Sequence, residues 1–217
     1  MRYVYTDYFG AYGEKLAVST SERAYHHGDL RAALLSAAID MLEAGEAFSI
    51  RAVARRAGVS AAAPYRHFAD REQLESAVAV EGFKDLRADL GAGLAEAPDD
   101  APAADVIAGL GVAYVMFALR RPALFRLMFG NECDDADSER VLASQGLHEL
   151  LGRIIAKYVP GAPVDDLSKA MWSVAHGLAF LHLDGKFRPE PAGDVADRVR
   201  SVVAALFALP AGADRPR

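Results

Sequence analysis

Residues 49–68 read SIRAVARRAGVSAAAPYRHF. Ser49 is a helix-capping residue type. Ile50, Val53 and Ala54 follow it at helical spacing, and Gly58 supplies the left-handed residue that stops a helix. Val59 is the apolar pivot of the turn. Ser60 is a second cap, so another helix is expected over 60–68. A short helix, a four-residue turn and a second helix is the spacing of a helix-turn-helix. The stretch fixes the fold class and poses a question. A helix that enters a major groove needs side chains able to hydrogen-bond base edges, yet this one opens with Ala61, Ala62, Ala63 and Pro64.

Upstream, Leu30, Leu34, Ala37, Ala38, Met41 and Leu42 fall on one face of a helix that begins near Asp29 and is closed by Gly45. Downstream, Asp70 caps a long helix to about Ala95, along which Leu74, Val78, Phe83, Leu86 and Leu90 recur. After the loop APDDAP, residues 103–120 form a helix that is apolar nearly all round and therefore central in a bundle. Pro122 opens a short helix, PALFRLMF. The acidic loop GNECDDAD follows, then helices at about 138–158, 164–183 and 194–209, separated by PGAP and KFRPEPAG. No run alternates with period 2 and no segment repeats. The expectation is an all-α protein with a three-helix head and a helical bundle as body. Residues 1–27 are rich in tyrosine and lack helical periodicity. They are either an arm that reaches a groove, a flexible extension, or the product of an upstream start codon.

The composition is 52% hydrophobic and 25% charged, which suits a buried helical globule rather than a chain too polar to fold. The single cysteine, Cys133, excludes an internal disulfide and a cysteine-rich zinc site, and points to a reducing, cytoplasmic setting. No leader pattern opens the chain, no uncharged apolar run of spanning length appears, and no membrane partner is expected. The net charge is −6, but Arg51, Arg55, Arg56, Arg66 and Arg71 face only Asp70 within residues 47–71. Positive charge gathered at one short stretch of an acidic protein indicates a local polyanion contact.

The joint occurrence of DLRAALLSAAIDMLEAG, FSIRAVARRAGVS and PYRHFADREQL over roughly 28–75 resembles the TetR (tetracycline-repressor) family of bacterial transcription regulators. YHHGDLR and WSVAHGLAF are similar to a subgroup whose C-terminal domain is named for a Trp, a His and a Gly, here Trp172, His176 and Gly177. The resemblance implies a helix-turn-helix DNA-binding domain over 28–74 and an effector-binding, dimerising domain over 75–217. It implies a homodimer that represses transcription from a palindromic operator in double-stranded DNA until a small-molecule effector releases it. The helices at 164–183 and 194–209 would form the dimer surface.

On this reading the alanine-rich helix still has work to do. Ala61 and Ala62 keep it thin, and their methyls suit thymine methyls but donate no hydrogen bonds. Polar readout falls to Arg66, whose guanidinium takes guanine O6 and N7 together. Ser60 and the amides of the helix start suit a phosphate. The resemblance places Tyr65, His67, Arg71 and Ser49 at phosphate-binding positions, and Arg55 is a further backbone contact. In the body, Trp172 and His176 share a helix face, and Tyr114, Phe117, Phe125, Met128 and Phe129 come from the central helices. Together they suit an apolar pocket with one hydrogen-bonding histidine, and a hydrophobic or aromatic effector. The same residues equally suit plain core packing.

Catalytic patterns fail. HELLG at 148–152 starts like a zinc-protease helix but lacks the second histidine at i+4. No G-x-S-x-G occurs, and GLG at 109–111 lacks a strand and a third glycine. No cofactor or metal is expected. Two classes stay open: a ligand-responsive DNA-binding regulator, or a helical carrier or enzyme whose first helices only look like a helix-turn-helix.

Overall fold

The computed structural model describes residues 27–46, 49–98, 100–130 and 139–208, and it is helical throughout the described residues. In chain order the α-helices are α1 (His27–Glu43), α2 (Ile50–Arg56), α3 (Arg71–Ala95), α4 (Ala103–Arg120), α5 (Pro122–Gly130), α6 (Glu139–Tyr158), α7 (Val164–Leu183) and α8 (Ala192–Phe207). A 3-10 helix, Ala63–Arg66, lies between α2 and α3. The N-terminal arm, apart from its last residue, and the acidic loop with Cys133 lie outside the described residues.

The helix punctuation follows the sequence. At the end of α1, Gly45 adopts φ +66 and the Glu46 N–H donates to the Met41 carbonyl at 2.9 Å. At the end of α2, Gly58 adopts φ +71 and the Val59 N–H donates to the Ala54 carbonyl at 3.0 Å. Both are the Schellman closure that a glycine makes cheap. The Ser49 hydroxyl accepts from the Ala52 N–H at 3.2 Å, and the Asp70 carboxylate accepts from the Gln73 N–H at 2.9 Å. Gln73 in turn accepts the Ala69 N–H at 2.9 Å. Two orphan amides at the start of α3 are thus satisfied reciprocally.

The second helix of the motif departs from expectation. Residues 60–68 do not form an α-helix capped by Ser60. They form a turn and the four-residue 3-10 helix, whose N-cap is Ala62, without a side-chain hydrogen bond. Pro64 is the physical reason. It has no N–H to donate to the Ser60 carbonyl, its ring crowds that carbonyl, and it disfavours α geometry at Ala63 before it. The chain settles for an Ala63 N–H to Ser60 carbonyl bond at 3.0 Å and a His67 N–H to Pro64 carbonyl bond at 2.8 Å. Pro64 itself is buried, taking the core-facing place of the turn.

One hydrophobic core runs from head to body, joining Leu34, Ala38, Val53 and Phe68 to Val78, Phe83, Tyr114, Phe125 and Ala179. The head is α1, α2 and the first turns of α3, so the expected boundary at residue 74 falls inside α3. Helix α4 packs against α3, α5, α7 and α8. By length and a mean hydropathy of 1.6 it is the one helix among the described residues apolar enough to cross a membrane, but here it is a core helix enclosed by its neighbours. Helix α5 lies so close to α3 that a Cβ on Gly82 would come within 2.6 Å of the Met128 sulfur. Buried Arg140 at the start of α6 donates to the carbonyls of Leu127 and Met128 at 3.1 and 2.9 Å, closing the end of α5.

Gly58 makes a sharp test of the turn. Nothing lies within 4 Å of a Cβ built there, so substitution meets no clash, only the left-handed backbone. Gly58→Ala should cost about 1–2 kcal/mol, read as a lower urea midpoint. An unchanged midpoint would mean that the turn is not held in this conformation.

Candidate functional site

The exposed side of the helix-turn-helix gathers the expected contact residues. Ser49, Arg55, Ser60, Ala61, Ala62, Arg66 and Arg71 are exposed, and Tyr65 is 50% exposed, unusual for so large a side chain. Arg51, Arg55 and Arg66 form no ion pair among the described residues, whereas Arg56 is engaged by Glu46 and Arg71 donates to Glu75 at 2.7 Å. Positive charge is therefore most available at Arg51, Arg55 and Arg66. His67 is only partly exposed. Its Nε2 is buried with no hydrogen-bond partner among the described residues, beside a hollow bordered by Ser36 and Asp40 of α1 and Asp85 of α3. An outward contact from His67 thus falls to the other ring nitrogen.

The second site is a cavity of about 400 Å³ between α4, α6 and α7, bordered also by Leu90 of α3, Phe129 of α5 and Val199 and Val203 of α8. Of the seven residues expected to line a pocket, Tyr114, Phe129 and Trp172 do so. The other four do not. Phe117, Phe125 and Met128 are buried in the solid core. His176 is set back, because the cavity takes the Met171–Val174–Ala175–Leu178 face of α7 and His176 lies on the neighbouring face against α5. Its ring stands 4.7 Å from that of Phe129, centre to centre, and 4.8 Å from Phe180.

His176 nevertheless acts on the cavity wall. The Tyr114 hydroxyl and His176 Nδ1 are 2.8 Å apart. Burial pushes the Tyr114 hydroxyl above its ordinary range, the Trp172 side chain opposing it, and burial pushes the His176 imidazole below its ordinary value. Both shifts favour the neutral forms, so the tyrosine donates and the imidazole accepts, leaving the proton of His176 on Nε2. The histidine thus bears on the cavity through a wall residue, Tyr114.

Three features were not anticipated. Ser144, Gln145, His148 and Glu149 of α6 bring the polar groups of the cavity. HELLG, set aside as a failed zinc motif, supplies two of them. Secondly, His182 is buried and accepts at Nε2 from Arg198 of α8 at 2.7 Å, while its Nδ1–H donates to the Leu178 carbonyl at 2.7 Å. Thirdly, Gly177 does not permit a close approach inside the chain: it is exposed, and a Cβ there would meet nothing within 4 Å. Nor is the apolar face of α8 outward, since Val195, Val199 and Val203 are buried. Among the described residues no group of three His, Cys, Asp or Glu side chains is disposed to hold a metal.

A family model for bacterial regulatory proteins of the tetR family matches residues 34–78, and one for a tetracyclin repressor-like C-terminal domain matches residues 107–206. The chain belongs to the tetR family. As such it is a DNA-binding transcriptional regulator. A protein of unknown function from Rhodococcus sp. RHA1 is 34% identical, with 84% of this chain and 97% of that one covered and a TM-score of 0.71. A transcriptional regulator of the TetR/AcrR family from Thermobifida fusca YX-ER1 is similar over 81% of this chain and 96% of its own, at 17% identity and a TM-score of 0.60. The fatty acid degradation regulator FadR from Bacillus halodurans is similar over 82% and 96%, at 11% identity and a TM-score of 0.65. The last two likenesses show the fold alone. No curated protein matches the chain.

For this tetR-family chain, the lowered His176 value makes stability depend on pH. In the unfolded chain the imidazole titrates near its ordinary 6.5, whereas the folded protein resists the proton to a lower pH. Between those two values the unfolded state binds more protons, so the contribution present above about pH 6.5 is lost as pH falls through the folded value. Urea titrations of wild type and His176→Gln should show a flatter acid slope for the variant, whose amide can still accept from Tyr114. Equal slopes would show that His176 titrates as if exposed.

Proposed function

We propose that the protein is a homodimeric repressor that reads a palindromic operator and lets go when a small apolar ligand occupies the cavity. The observation that carries this reading is the aromatic contact between the cavity and α3, the helix that begins in the reading head. Phe129 borders the cavity and meets Phe83 of α3 edge-on, with ring centres 5.3 Å apart. Helix α3 starts at Arg71, beside the 3-10 helix. A second link runs through Glu43 at the end of α1, which accepts the Leu124 N–H at 3.4 Å and lies 3.6 Å from Arg121. Arg121 also pairs with Asp85 of α3. A ligand that displaces Phe129 therefore acts on α3 and α5, and both bear on the head.

In this reading residues 28–74 are the DNA-binding head and 75–217 the effector-binding and dimerising body, α3 being common to both. Arg66 takes a guanine, Ala61 and Ala62 touch thymine methyls, and Ser49, Arg55, Ser60, Tyr65, His67 and Arg71 engage phosphates. The 3-10 helix has too little length for a strong dipole, so Ser60 acts through its hydroxyl. For the dimer, α7 offers an outward stripe of Ala170, Ser173, Gly177 and Leu181, all exposed. Gly177 has open space above it and allows a second copy of the helix to approach. On α8 the outward residues are Ser201, Ala204 and Ala205 rather than the valines. The ligand site is bordered by Trp172, Tyr114 and Phe129, with polar groups from α6. The protein works in the cytoplasm, without catalysis or cofactor.

The test is DNA selection with the purified protein, followed by binding to the selected site. The selected sequence should be an inverted repeat with half-sites about one helical turn, or a multiple of it, apart. Arg66→Ala should cost roughly 1–3 kcal/mol and relax one base pair in each half-site, while Tyr65→Phe weakens all sequences alike. A protein that holds one half-site as tightly as the full repeat is not reading as a dimer. Trp172→Ala should keep DNA binding and lose the response to an inducing ligand.

A further inference from the structure

The cavity also carries information about the charge of what enters it. Its interior is aliphatic, with Leu110, Leu151, Ile154, Met171 and Leu178 among the lining side chains. Among the described residues no arginine or lysine lines it, and Glu149 is the one acidic side chain that does. The nearest cation to that carboxylate is Arg153 at 3.9 Å, a loose contact between exposed groups. Asp165, beside His148 at 3.7 Å, is already taken by Lys169 at 2.6 Å. Trp172, 41% exposed, borders the same cavity, with its ring 6.5 Å from that of His148.

An anionic headgroup would meet the Glu149 carboxylate and no cation in the described lining. Beside a like charge at a solvent-exposed rim, such a headgroup is repelled weakly and gains no partner from the lining. A cationic headgroup meets the reverse situation: a weakly engaged carboxylate, and the face of an exposed indole that attracts cations. The amide of Gln145 and the hydroxyl of Ser144 add acceptors along the same wall. We propose that the cavity selects elongated hydrophobic cations, such as alkyl or aryl amines, with the ammonium toward Glu149 of α6 and the tail among the aliphatic side chains. The proposal rests on the reading of the cavity as the effector site and specifies the chemistry of the effector. It sets this chain apart from what the name of the Bacillus halodurans neighbour implies for that protein, a regulator of fatty acid degradation.

The chain has one tryptophan, and it borders the cavity, so its fluorescence reports occupancy directly. Three probes of equal chain length separate charge from hydrophobicity: n-decylamine, n-decanol and n-decanoate, each kept below its micellar concentration at pH 7.5. Circular dichroism serves as the check that the helices stay folded. The amine should bind roughly five- to tenfold tighter than the alcohol, the sum of an exposed ion pair and an exposed cation–π contact. The acid should bind more weakly than the alcohol. Glu149→Gln should bring the amine down to the level of the alcohol. If the acid binds as tightly as the amine, or the variant keeps the amine preference, the charge selection is overturned while the effector site stands. If none of the three quenches or shifts the emission, the cavity itself is not a ligand site, and both readings fall.

Discussion

A helix with apolar side chains on every face has to be walled in, and enclosing α4 sets the position of nearly everything else in the body. Helices α3, α5, α7 and α8 are its walls. Against α8, a Cβ on Gly111 would come within 3.0 Å of Val199, so the absence of a side chain at 111 lets the two helices meet. That requirement also explains why the valines of α8 face inward and are not free to build a dimer surface. The cavity opens where this enclosure is incomplete, on the side closed by the more polar α6.

The walls are joined by aromatic rings more than by ion pairs. Phe125 is fully buried and touches the rings of Tyr114, Phe117, Phe129, His176 and Phe180, which come from α4, α5 and α7. Edge-to-face and tilted contacts of this kind have preferred geometries, so displacing one ring re-seats its neighbours rather than compressing them. Phe129 belongs to this cluster, borders the cavity and touches α3. A ligand that moves it therefore changes helix positions, and the well-packed Phe125 behind it leaves little room for the change to be absorbed locally.

Much of this was legible in the sequence, and the failures have physical causes. Gly45, Gly58, Ser49 and Asp70 announce helix ends because caps and left-handed residues are local chemistry. The all-round apolarity of 103–120 announces a central helix. The capping residues and turn pattern of 60–68 suggest an α-helix, but the missing N–H and steric bulk of Pro64 are decisive in so short a segment. The cavity was half legible. Periodicity tells which residues of α7 face inward, but not which inward residues meet a void and which meet a ring. Phe117 and Phe125 meet rings, and Met128 meets Gly82 of α3. His176 lies one face away from the void and serves it through Tyr114. His148 and Glu149 stood in plain view, but only the packing of α6 beside α7 gives them something to border.

The alanine-rich reading segment makes sense once its shortness is accepted. Four residues of 3-10 helix carry one strong hydrogen-bonding side chain, Arg66, which on the proposed reading is the one that meets a base. A bidentate base contact of this kind discriminates by about 1–3 kcal/mol, far less than one site in a genome requires. Two copies acting together double that energy, and phosphate contacts must hold both in register. Such an arrangement is easily reversed. When each head contributes little specificity, tilting the pair out of register costs few base contacts yet forfeits the joint fit on which selectivity rests. A ligand then needs only a differential affinity of about 2.7 kcal/mol between the two states to weaken binding 100-fold. A longer reading helix, with more side chains committed to bases, would bind the operator more tightly, so the same 100-fold weakening would leave more of it occupied. On the proposed reading Pro64, by keeping the reader short, keeps operator affinity low enough for a coupling of that size to empty the site.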